Sequence, residues 1–317
     1  MRVLVTGATG FIGGFLCKEL AERGHIVRAA LRTEGPVSPV VTERVVIGDL
    51  RQSMRWDEAL REVDAVAHLA ARVHDASDMD TEAHLESNAR ATRGLAQAAA
   101  RSGIGRLVFL SSIKVNGEGT TRTPYTARDE PRPRGPYAQS KWLAEQYLWE
   151  VQTATGLEVA AVRSPLVYGP GVRANFRRLL EWVDSRWPLP LGAVHNRRSL
   201  VSAWNLSHLL ARLIERKGAT GVWMVSDGED LSTPDLIRRL ARSMERRPRL
   251  VAIPPALLRL GGALTGRREE VMRLCESLIV DIDDTCRELS WSPPLSVDEA
   301  LARTVAWYRS EFPADVR

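Results

Sequence analysis

The sequence predicts an α/β protein in which a doubly wound parallel sheet carries a smaller, mostly helical lobe. Strand-like apolar runs alternate with amphipathic helical stretches through the first half of the 317-residue chain, and this βαβ alternation is typical of a parallel sheet with helices on both faces. The second half is less regular, because proline-rich turns separate its helical segments. We therefore predict a sheet domain at residues 1–165, to which the chain returns around 200–230, and a lobe formed by residues 166–199 and 231–317.

The predicted elements follow one another in a regular order. The strand candidates are the short apolar runs RVLVTG, HIVRAAL, RVVIGDL, DAVAHLAA, RLVFLSS and EVAAVRSPLVYG. Helical stretches between them run from about Phe11 to Arg23, along WDEALREV, and from about Asn88 to Arg101. In the second half we expect a helix from about Pro234 to Glu245, among turns that contain WPLPLG, IPPALL and WSPPLS.

Composition and charge argue against a nucleic-acid partner. The chain is 44% hydrophobic and 26% charged, with a net charge of +5 and a pI of about 9.4. Lysine supplies only four of the 44 basic residues, and acids interleave with the arginines, as in RDEPRPR. A nucleic-acid-binding arm would need a run of basic residues. A mildly basic surface instead suits an anionic small-molecule substrate.

The cysteines and the apolar runs bear on compartment and metal content. Cys17, Cys275 and Cys286 have the spacing of neither a disulfide framework nor a zinc site, so we expect no metal and a cytoplasmic location. No apolar run approaches the roughly 20 residues needed to cross a bilayer. Met1 and Arg2 run directly into a strand-like segment rather than a signal peptide. We therefore expect no insertion into a membrane.

Three glycines, Gly7, Gly10 and Gly13, stand in TGATGFIGG, between the first predicted strand and the first predicted helix. A tight turn, a close approach of the backbone and a helix N-terminus together bind a pyrophosphate. The GxxGxxG spacing at this place therefore predicts a dinucleotide site of the Rossmann-like kind. The other contacts expected from this loop are Thr9, Phe11 and Ile12.

The residues after the next three strands indicate the form of the dinucleotide. An acid usually follows the second strand of a NAD-binding protein, but here the sequence is RAALRTEG. Arg32 stands where a 2′-phosphate could be met, with Arg28 as a helper, so NADP(H) is favoured over NAD(H), unless both are only surface arginines. Small residues after the fourth strand leave room for the nicotinamide half. The expected contacts at these strand ends are Asp49 and Leu50 in GDL, and Leu69, Ala70 and Ala71 in HLAA.

Tyr137 and Lys141 stand four residues apart in PYAQSK, at the start of a predicted helix. Residues at i and i+4 lie on one helix face. Their ordinary pKa values are roughly 10 and 10.4, and a fixed positive charge favours the phenolate and lowers the tyrosine pKa. The pair therefore indicates an acid–base group poised for work near neutral pH.

These motifs together resemble the extended short-chain dehydrogenase/reductase superfamily, in its NAD-dependent epimerase/dehydratase group. The resemblance covers nearly the whole chain and rests on TGATGFIGG, GDL, HLAA, ESNARATRGL, VFLSS, PYAQSK, RSPLVYGPG and RRSLVSAWN. It implies a catalytic triad of Ser112, Tyr137 and Lys141, with Asn88 on a helix that faces the site and Pro165 beside the cofactor. In this family Tyr137 would exchange a proton with the substrate, Lys141 would lower its pKa and bind the nicotinamide ribose, and Ser112 would hydrogen-bond the oxygen of the reacting carbon.

The resemblance also implies a nucleotide-sugar substrate that binds in the smaller lobe. Asn175, followed by Phe176, matches the place where an asparagine of the family meets the diphosphate. Arg198 matches the arginine that pairs with the diphosphate, a role that suits a bidentate guanidinium. Arg273 is a further candidate for nucleotide contact. Ser111, beside the catalytic serine, is a further candidate for substrate contact.

The segment after Ser112 narrows the reaction that the resemblance implies. Ile113 and Lys114 stand where family dehydratases place an Asp-Glu pair for elimination, so the sequence argues against 4,6-dehydration. SSIKVNGE is similar instead to enzymes of bacterial surface-polysaccharide synthesis that act at C4 of UDP-N-acetylhexosamine derivatives. We therefore favour reduction of a UDP-4-keto-6-deoxy-hexosamine. The alternatives are a 4-epimerase of UDP-glucose or UDP-N-acetylglucosamine that keeps its cofactor, and a non-catalytic NADP-binding regulator on the same fold.

Two helices carry more apolar residues than one sheet face requires. These residues are Leu95, Trp142, Leu148, Trp149 and Val151. In the family that the chain resembles, the matching helices pair across a two-fold axis into a four-helix bundle, so we expect a homodimer. The alternative is that these residues only pack on the sheet.

Overall fold

Ten strands in two sheets organise the part of the chain that the structure, a computed structural model, describes. That part comprises residues 1–49, 56–72, 80–185, 187–266 and 268–313. In chain order, the strands are β1 (Arg2–Thr6), β2 (Ile26–Leu31), β3 (Glu43–Val46), β4 (Ala65–His68), β5 (Arg106–Ser112), β6 (Glu158–Ser164), β7 (Leu166–Tyr168), β8 (Arg198–Ser202), β9 (Gly221–Met224) and β10 (Asp230–Leu231). A seven-stranded parallel sheet has the order β3-β2-β1-β4-β5-β6-β9, and a small sheet has the order β10-β8-β7.

Helices flank the large sheet and build most of the smaller lobe. In chain order, they are α1 (Phe11–Glu22), α2 (Trp56–Ala59), α3 (Thr81–His84), α4 (Ala91–Arg101), α5 (Gly135–Thr155), α6 (Ala174–Asp184), α7 (Ala203–Glu215), α8 (Thr233–Ser243), α9 (Pro255–Leu264), α10 (Arg268–Cys275), α11 (Asp283–Leu289) and α12 (Val297–Glu311). A π-helical turn at Leu85–Arg90 joins α3 to α4, and a 3₁₀ turn at Ile113–Val115 follows β5.

The strand order reverses between β1 and β4. In open α/β sheets, ligands bind beyond the carboxyl ends of the strands at such a reversal. The glycine loop follows β1 and residues 69–71 follow β4, so the topology alone brings both segments to this place.

Both faces of the large sheet are buried. Leu16 of α1 and Leu209 of α7 pack in the core on one face, and Leu95 of α4 and Leu148 of α5 pack in the core on the other. All residues of β5 are buried. Burial on two sides explains why such strands read as nearly continuous apolar runs rather than as alternating ones.

A further core lies in the smaller lobe. Tyr168, Phe176 and Leu180 pack there with buried residues of α8 and α12. The carboxylate of Asp227, after β9, accepts hydrogen bonds from the Tyr168 hydroxyl at 2.6 Å and from the Asn205 amide at 2.7 Å. Burial raises the pKa of both Asp227 and Tyr168. This buried group therefore joins β7 and α7 at the border between the sheet and the lobe.

The predicted fold class, a Rossmann-like doubly wound sheet with a smaller helical lobe, is confirmed. The run EVAAVRSPLVYG, predicted as one strand, forms β6 and β7 in different sheets. Pro165 separates them, because proline has no N–H to continue a ladder. The helix expected from Asn88 begins earlier, since α3 and the π-helical turn precede α4.

The sequence predicted that residues 231–317 lie in the smaller lobe, but part of this segment packs elsewhere. Leu289 and Trp291 are buried in the core beside α1 and α7. The Thr285 hydroxyl donates to the Met224 carbonyl oxygen at 2.8 Å. Residues 282–291 therefore pack against the large sheet, because the edge strand β9 and helix α7 leave an apolar surface that these side chains cover.

Candidate active site

The glycine loop after β1 is shaped for a bound phosphate. Gly7 has φ +73°, and a Cβ there would lie 2.8 Å from the Ala70 amide nitrogen. A Cβ on Gly13 would lie 2.0 Å from the Gly7 carbonyl oxygen, so the helix and the loop meet too closely for any side chain. No side chain caps α1, which begins after Gly10. The first amides of that helix are therefore left for an anion, and the residues fit the pyrophosphate of a dinucleotide.

The segment after β4 lies against this loop. The Leu69 amide donates to the Thr6 carbonyl oxygen at 3.2 Å, and the Ala70 amide donates to the Thr6 hydroxyl at 3.2 Å. The small side chains of Ala70 and Ala71 are half-buried at the mouth between β1 and β4. The structure thus brings the predicted contacts of the two segments together.

A buried histidine supports the same two strands. The His68 ring shares a hydrogen bond of 2.6 Å with the Thr6 hydroxyl and one of 2.9 Å with the Thr92 hydroxyl. Burial and the nearby charge of Lys141 lower the pKa of His68 to about 3. The ring is therefore neutral at ordinary pH and ties β1 and β4 to α4. The sequence analysis did not single it out, although its place in HLAA was the available signal.

Of the residues at the ends of β2 and β3, some are exposed to a ligand, and others already bond to neighbouring groups of the protein. Arg32 is exposed just beyond β2. Arg28 is not available as its helper, because its guanidinium bonds to Glu43 at 2.6 Å and to the backbone oxygens of Ala59 and Arg61. Asp49 is half-buried beyond β3. Leu50, the other predicted contact here, lies outside the described residues.

Half-buried Tyr137 and buried Ser112 meet at the centre of the site. A hydrogen bond joins their side chains and pulls the tyrosine pKa down, but burial outweighs it and raises the pKa of Tyr137 to about 12. The His84 ring packs edge-on against the phenol, with ring centres 6.2 Å apart. The phenol is therefore neutral in this state, rather than poised near pH 7 as the sequence suggested.

Lys141 is buried in α5, and its surroundings and pKa differ from those that the sequence predicted. Its ammonium nitrogen donates to the Leu110 carbonyl oxygen at 2.9 Å and lies 4.5 Å from the centre of the Phe109 ring. Burial lowers the pKa of Lys141 to about 7, and Glu145 acts in the opposite direction. Lys141 is thus a group that gains and loses its charge near neutral pH.

Asn88 acts on the geometry of the site rather than on a reacting atom. Its side-chain oxygen accepts from the Arg72 amide at 2.7 Å, and its side-chain nitrogen donates to the Arg72 carbonyl oxygen and to the Ser140 hydroxyl, both at 3.0 Å. The Ser140 hydroxyl in turn donates to the Tyr137 carbonyl oxygen at 2.8 Å. Asn88, which the sequence placed among the catalytic residues, therefore fixes the start of α5 and is a positioning residue.

Ser111 points into a buried ion pair and not toward Tyr137. Its hydroxyl donates to Glu145 at 2.5 Å, and Glu145 bonds to the Arg163 guanidinium at 2.6 and 3.1 Å. Arg163 also donates to the Asn116 side-chain oxygen at 3.0 Å. Because successive residues of a strand face opposite sides, Ser111 and Ser112 cannot both reach the substrate. The predicted substrate contact of Ser111 is therefore not what the structure indicates.

Two arginines meet at the edge of the smaller lobe. Arg198, on β8, donates to the Arg273 carbonyl oxygen at 2.7 Å and to the Glu276 carbonyl oxygen at 3.1 Å. Burial and the neighbouring charge of Arg273 lower the pKa of Arg198. The positive charge of Arg273 is near enough to act on Arg198, and two such charges favour an anion, while the planar donors of arginine suit a diphosphate. The structure thus brings together two residues that the sequence suggested separately.

Asn175 and Phe176, the two contacts predicted at the start of α6, differ in exposure. Asn175 is exposed in the first turn of the helix. Phe176 is 1% exposed and stacks on Tyr168 with ring centres 5.3 Å apart. The side chain of Phe176 is part of the lobe core, so its contact with substrate stays a prediction. Pro165 is buried between β6 and β7, next to Ser164 at the end of β6.

Other features of the described residues do not compete with this site. A cavity of about 320 Å³ lies beside β9 and is lined mainly by residues of the segments 126–128, 220–224 and 281–288. It includes none of the predicted site residues. No group of His, Cys, Asp and Glu in the described part of the chain could hold a metal ion. Within the same residues, no helix has the length and apolar character needed to cross a membrane.

Known proteins are similar to this chain over nearly its whole length. The model of the NAD dependent epimerase/dehydratase family matches residues 3–223. A UDP-glucose 4-epimerase of Vibrio cholerae is 38% identical over 309 residues, covering 95% of this chain and 94% of that protein. A 2-alkyl-3-oxoalkanoate reductase of Stenotrophomonas maltophilia is 30% identical over 96% of this chain and 99% of that protein. The solved structure of MoeE5 in complex with UDP-glucose and NAD has a TM-score of 0.80 at 27% identity, covering 98% of this chain and 99% of that chain.

Proposed function

Since the chain belongs to the NAD-dependent epimerase/dehydratase family of extended short-chain dehydrogenases/reductases, we propose that it is a 4-epimerase of a UDP-hexose that keeps a nicotinamide dinucleotide bound. The observation that carries this proposal is the hydrogen-bonded Ser112–Tyr137 pair, with buried Lys141 one turn further along α5, at the sheet edge that the glycine loop also faces. The Arg198–Arg273 pair supplies a place for the diphosphate of the substrate. The chain is an enzyme of this family, so the regulator considered from the sequence is not carried further.

The residues present would hold the dinucleotide along the carboxyl edge of the sheet. The amides after Gly10 would bind the pyrophosphate, and Ala70 and Ala71 leave room for the nicotinamide half. When bound, the dinucleotide supplies a hydride acceptor for C4 of the sugar and a donor for its return. Everything else in the reaction falls to the side chains of this protein.

Tyr137 and Ser112 handle the proton on the sugar O4 in this proposal. Burial keeps the phenol protonated, with its pKa raised to about 12, so Tyr137 is ready to donate a proton to an oxygen that gains charge. It can accept the O4 proton only as the phenolate, after its own proton has passed to solvent, and Lys141, whose pKa is about 7, favours that form when it is protonated. The Ser112 hydroxyl holds the same oxygen and stabilises developing charge.

Neighbouring residues argue against elimination and leave reduction as the second candidate. Lys114 stands where a dehydratase would need an acid. Its ammonium nitrogen lies 3.4 Å from a carboxylate oxygen of Glu118. The name of the Vibrio cholerae relative supports epimerisation, whereas exposed Arg32 supports a cofactor that exchanges as NADPH. A reductase of a UDP-4-keto-6-deoxy-hexosamine, which the sequence favoured, therefore remains the alternative.

The form of the dinucleotide and the oligomer are parts of the proposal. Arg32 favours NADP(H), while NAD is the cofactor named with MoeE5, and fluorescence titration with NADPH and NADH separates the two. Leu95, Leu148 and Val151 are buried in the sheet core, so only half-exposed Trp142 and Trp149 remain from the sequence argument for a homodimer. A mass measured by light scattering at micromolar concentration tests that dimer.

A panel of substrates tests the function. The purified protein is incubated with UDP-glucose and with UDP-N-acetylglucosamine without added cofactor, and separately with a UDP-4-keto-6-deoxy-hexosamine and NADPH. Epimerisation predicts the 4-epimer in a UDP-hexose mixture, with no net change in nicotinamide absorbance. Stoichiometric loss of NADPH absorbance in the second mixture alone would replace the epimerase by the reductase.

A further inference from the structure

The segment 246–268 of the smaller lobe is rich in arginine. It contains six arginines and no aspartate or glutamate, and Glu269 and Glu270 follow it directly. Between its two basic ends runs the apolar stretch LVAIPPALL, which leads into α9. Nothing in the proposed chemistry uses this segment, so its composition asks for a separate explanation.

Helix α9 exposes its apolar side to solvent. Leu257, Leu260 and Leu264 are 58%, 57% and 80% exposed, and their i, i+3, i+7 spacing places them on one face. Ala256 and Ala263 are exposed on that same face. Leu258 and Gly262 lie on the opposite face and are turned to the lobe core. A surface helix of a globular protein normally turns its polar side outward, so this face, which we term the α9 surface, is built for an apolar contact.

Exposed arginines lie before, within and after α9 in the sequence. Arg247 and Arg249 precede the helix, Arg259 lies on it, and Arg268 follows it, all exposed. Exposed leucines accompanied by guanidinium groups suit the two layers of an anionic bilayer interface, an acyl boundary beneath a plane of phosphates. A second copy of the chain fits less well, because a two-fold contact would press the same arginines of both copies together.

We propose that the α9 surface docks the protein on the interface of a membrane that contains anionic phospholipids. The leucines enter the acyl boundary, and the bordering arginines meet lipid phosphates. The docking is peripheral, because α9 has ten residues and, among the described residues, no helix can span a bilayer. Helix α10 packs on α9 and carries Arg273. The proposal is independent of the reaction, since no residue of the α9 surface belongs to the triad.

Vesicle sedimentation tests the docking with the full chain. The protein is mixed with vesicles of phosphatidylcholine alone, and of phosphatidylcholine with an equal amount of phosphatidylglycerol. We expect it to pellet with the anionic vesicles, less so as salt rises, and not with phosphatidylcholine alone. A variant with Leu257→Glu, Leu260→Glu and Leu264→Glu should bind the anionic vesicles at least about 10-fold more weakly.

A second variant and a matched control separate the apolar and charged parts. Arg247→Gln, Arg249→Gln and Arg268→Gln together leave the leucines in place and should weaken binding by roughly 5-fold for each arginine. Ile26→Glu changes an exposed apolar residue outside the segment and should bind as the wild type does. Melting temperatures close to that of the wild type show that the variants fold.

Three results would overturn the proposal. The first is a wild-type protein that stays in the supernatant with anionic vesicles at low salt. The second is equal binding by the wild type and the leucine variant. The third is self-association of the wild type that the leucine variant loses without any change in vesicle binding, which would assign the α9 surface to a second copy of the chain.

Discussion

Burial sets the chemistry of the two central residues of the site. Tyr137 and Lys141 were recognised from their spacing in the sequence, but spacing does not report solvent exposure. The structure buries Lys141 and half-buries Tyr137, and the loss of solvation raises the tyrosine pKa to about 12 and lowers the lysine pKa to about 7. Lys141 therefore carries the titration near neutral pH that the sequence had assigned to Tyr137.

Removing the phenol hydroxyl tests the role of Tyr137. Tyr137→Phe should lower turnover by at least about 100-fold, because general acid–base catalysis contributes that much or more. Binding of UDP, measured by the shift in melting temperature, should stay unchanged. Tyr147→Phe, on the same helix but half-exposed beneath Arg93 at 4.7 Å, should keep its activity. Full activity in Tyr137→Phe would move the proton transfer to another group.

Protonation of buried Lys141 makes stability depend on pH. Its folded pKa of about 7 lies below the ordinary lysine pKa of 10.5, so between these values the unfolded chain binds more protons than the folded one. The free energy of unfolding should therefore increase by roughly 1 kcal/mol for each pH unit as the pH is raised from 7 to 9. Lys141→Met should remove this slope in denaturant titrations. Lys18→Met, at an exposed position of α1, should keep the slope, and equal slopes in both variants would refute the pKa.

Several residue roles lay beyond the sequence for a physical reason. Ser111 and Ser112 are adjacent, and only the register of β5 decides which one faces Tyr137. Glu145 and Arg163 pair across different elements, and nothing in a single sequence reports such a partner. The position of Phe176 matched a motif, but its side chain was needed by the lobe core.

At the scale of elements, the glycine loop was the most predictable part. Its place between β1 and α1 and its three glycines were read directly from the sequence, because the turn needs residues without Cβ. The break at Pro165 was less visible, since the apolar run continues through it. The π-helical turn at Leu85–Arg90 left no signal, although it is what carries Asn88 to Ser140.

Two neighbouring glycines of α1 give a matched test of the loop. Gly13→Ala places a Cβ 2.0 Å from the Gly7 carbonyl oxygen, so the loop must move, and we expect weaker dinucleotide binding and a loss of roughly 1–3 kcal/mol of stability. Gly14→Ala meets nothing within 4 Å and should keep binding while gaining up to about 1 kcal/mol from helix propensity. Fluorescence titration and thermal unfolding measure both effects. Unchanged dinucleotide binding by Gly13→Ala would place the phosphate elsewhere.

Two neighbouring arginines on and before β8 give a similar test of the diphosphate site. Arg198→Ala should lose most of the rise in melting temperature that UDP gives, because losing a buried charged partner costs about 2–5 kcal/mol. Arg197→Ala should keep that rise, since Arg197 is exposed and pairs with Asp230 at 2.9 Å. Equal protection of both variants by UDP would show that Arg198 only supports the carbonyl oxygens of α10 and the following turn.

For the molecule as a whole, the sheet and its switch point were predictable from the sequence. The return of one C-terminal segment to the large sheet was not. Alternating apolar runs and helices dictate the sheet, and the switch point follows from it. The return of residues 282–291 to the sheet depends on the apolar surface that α7 and β9 leave uncovered. That surface exists only after the chain has folded, so local pattern could not report it.

In the proposed reaction, a hydride leaves C4 of a UDP-hexose and returns to the same carbon on the opposite face. The most direct measurement uses UDP-glucose deuterated at C4, or UDP-N-acetylglucosamine labelled in the same way, incubated with the purified protein in ordinary water. We predict a 4-epimer that retains deuterium at C4, as read by mass spectrometry and NMR. Deuterium found on a released reduced nicotinamide, exchange of the label with solvent, or the absence of any 4-epimer from either sugar would contradict the account.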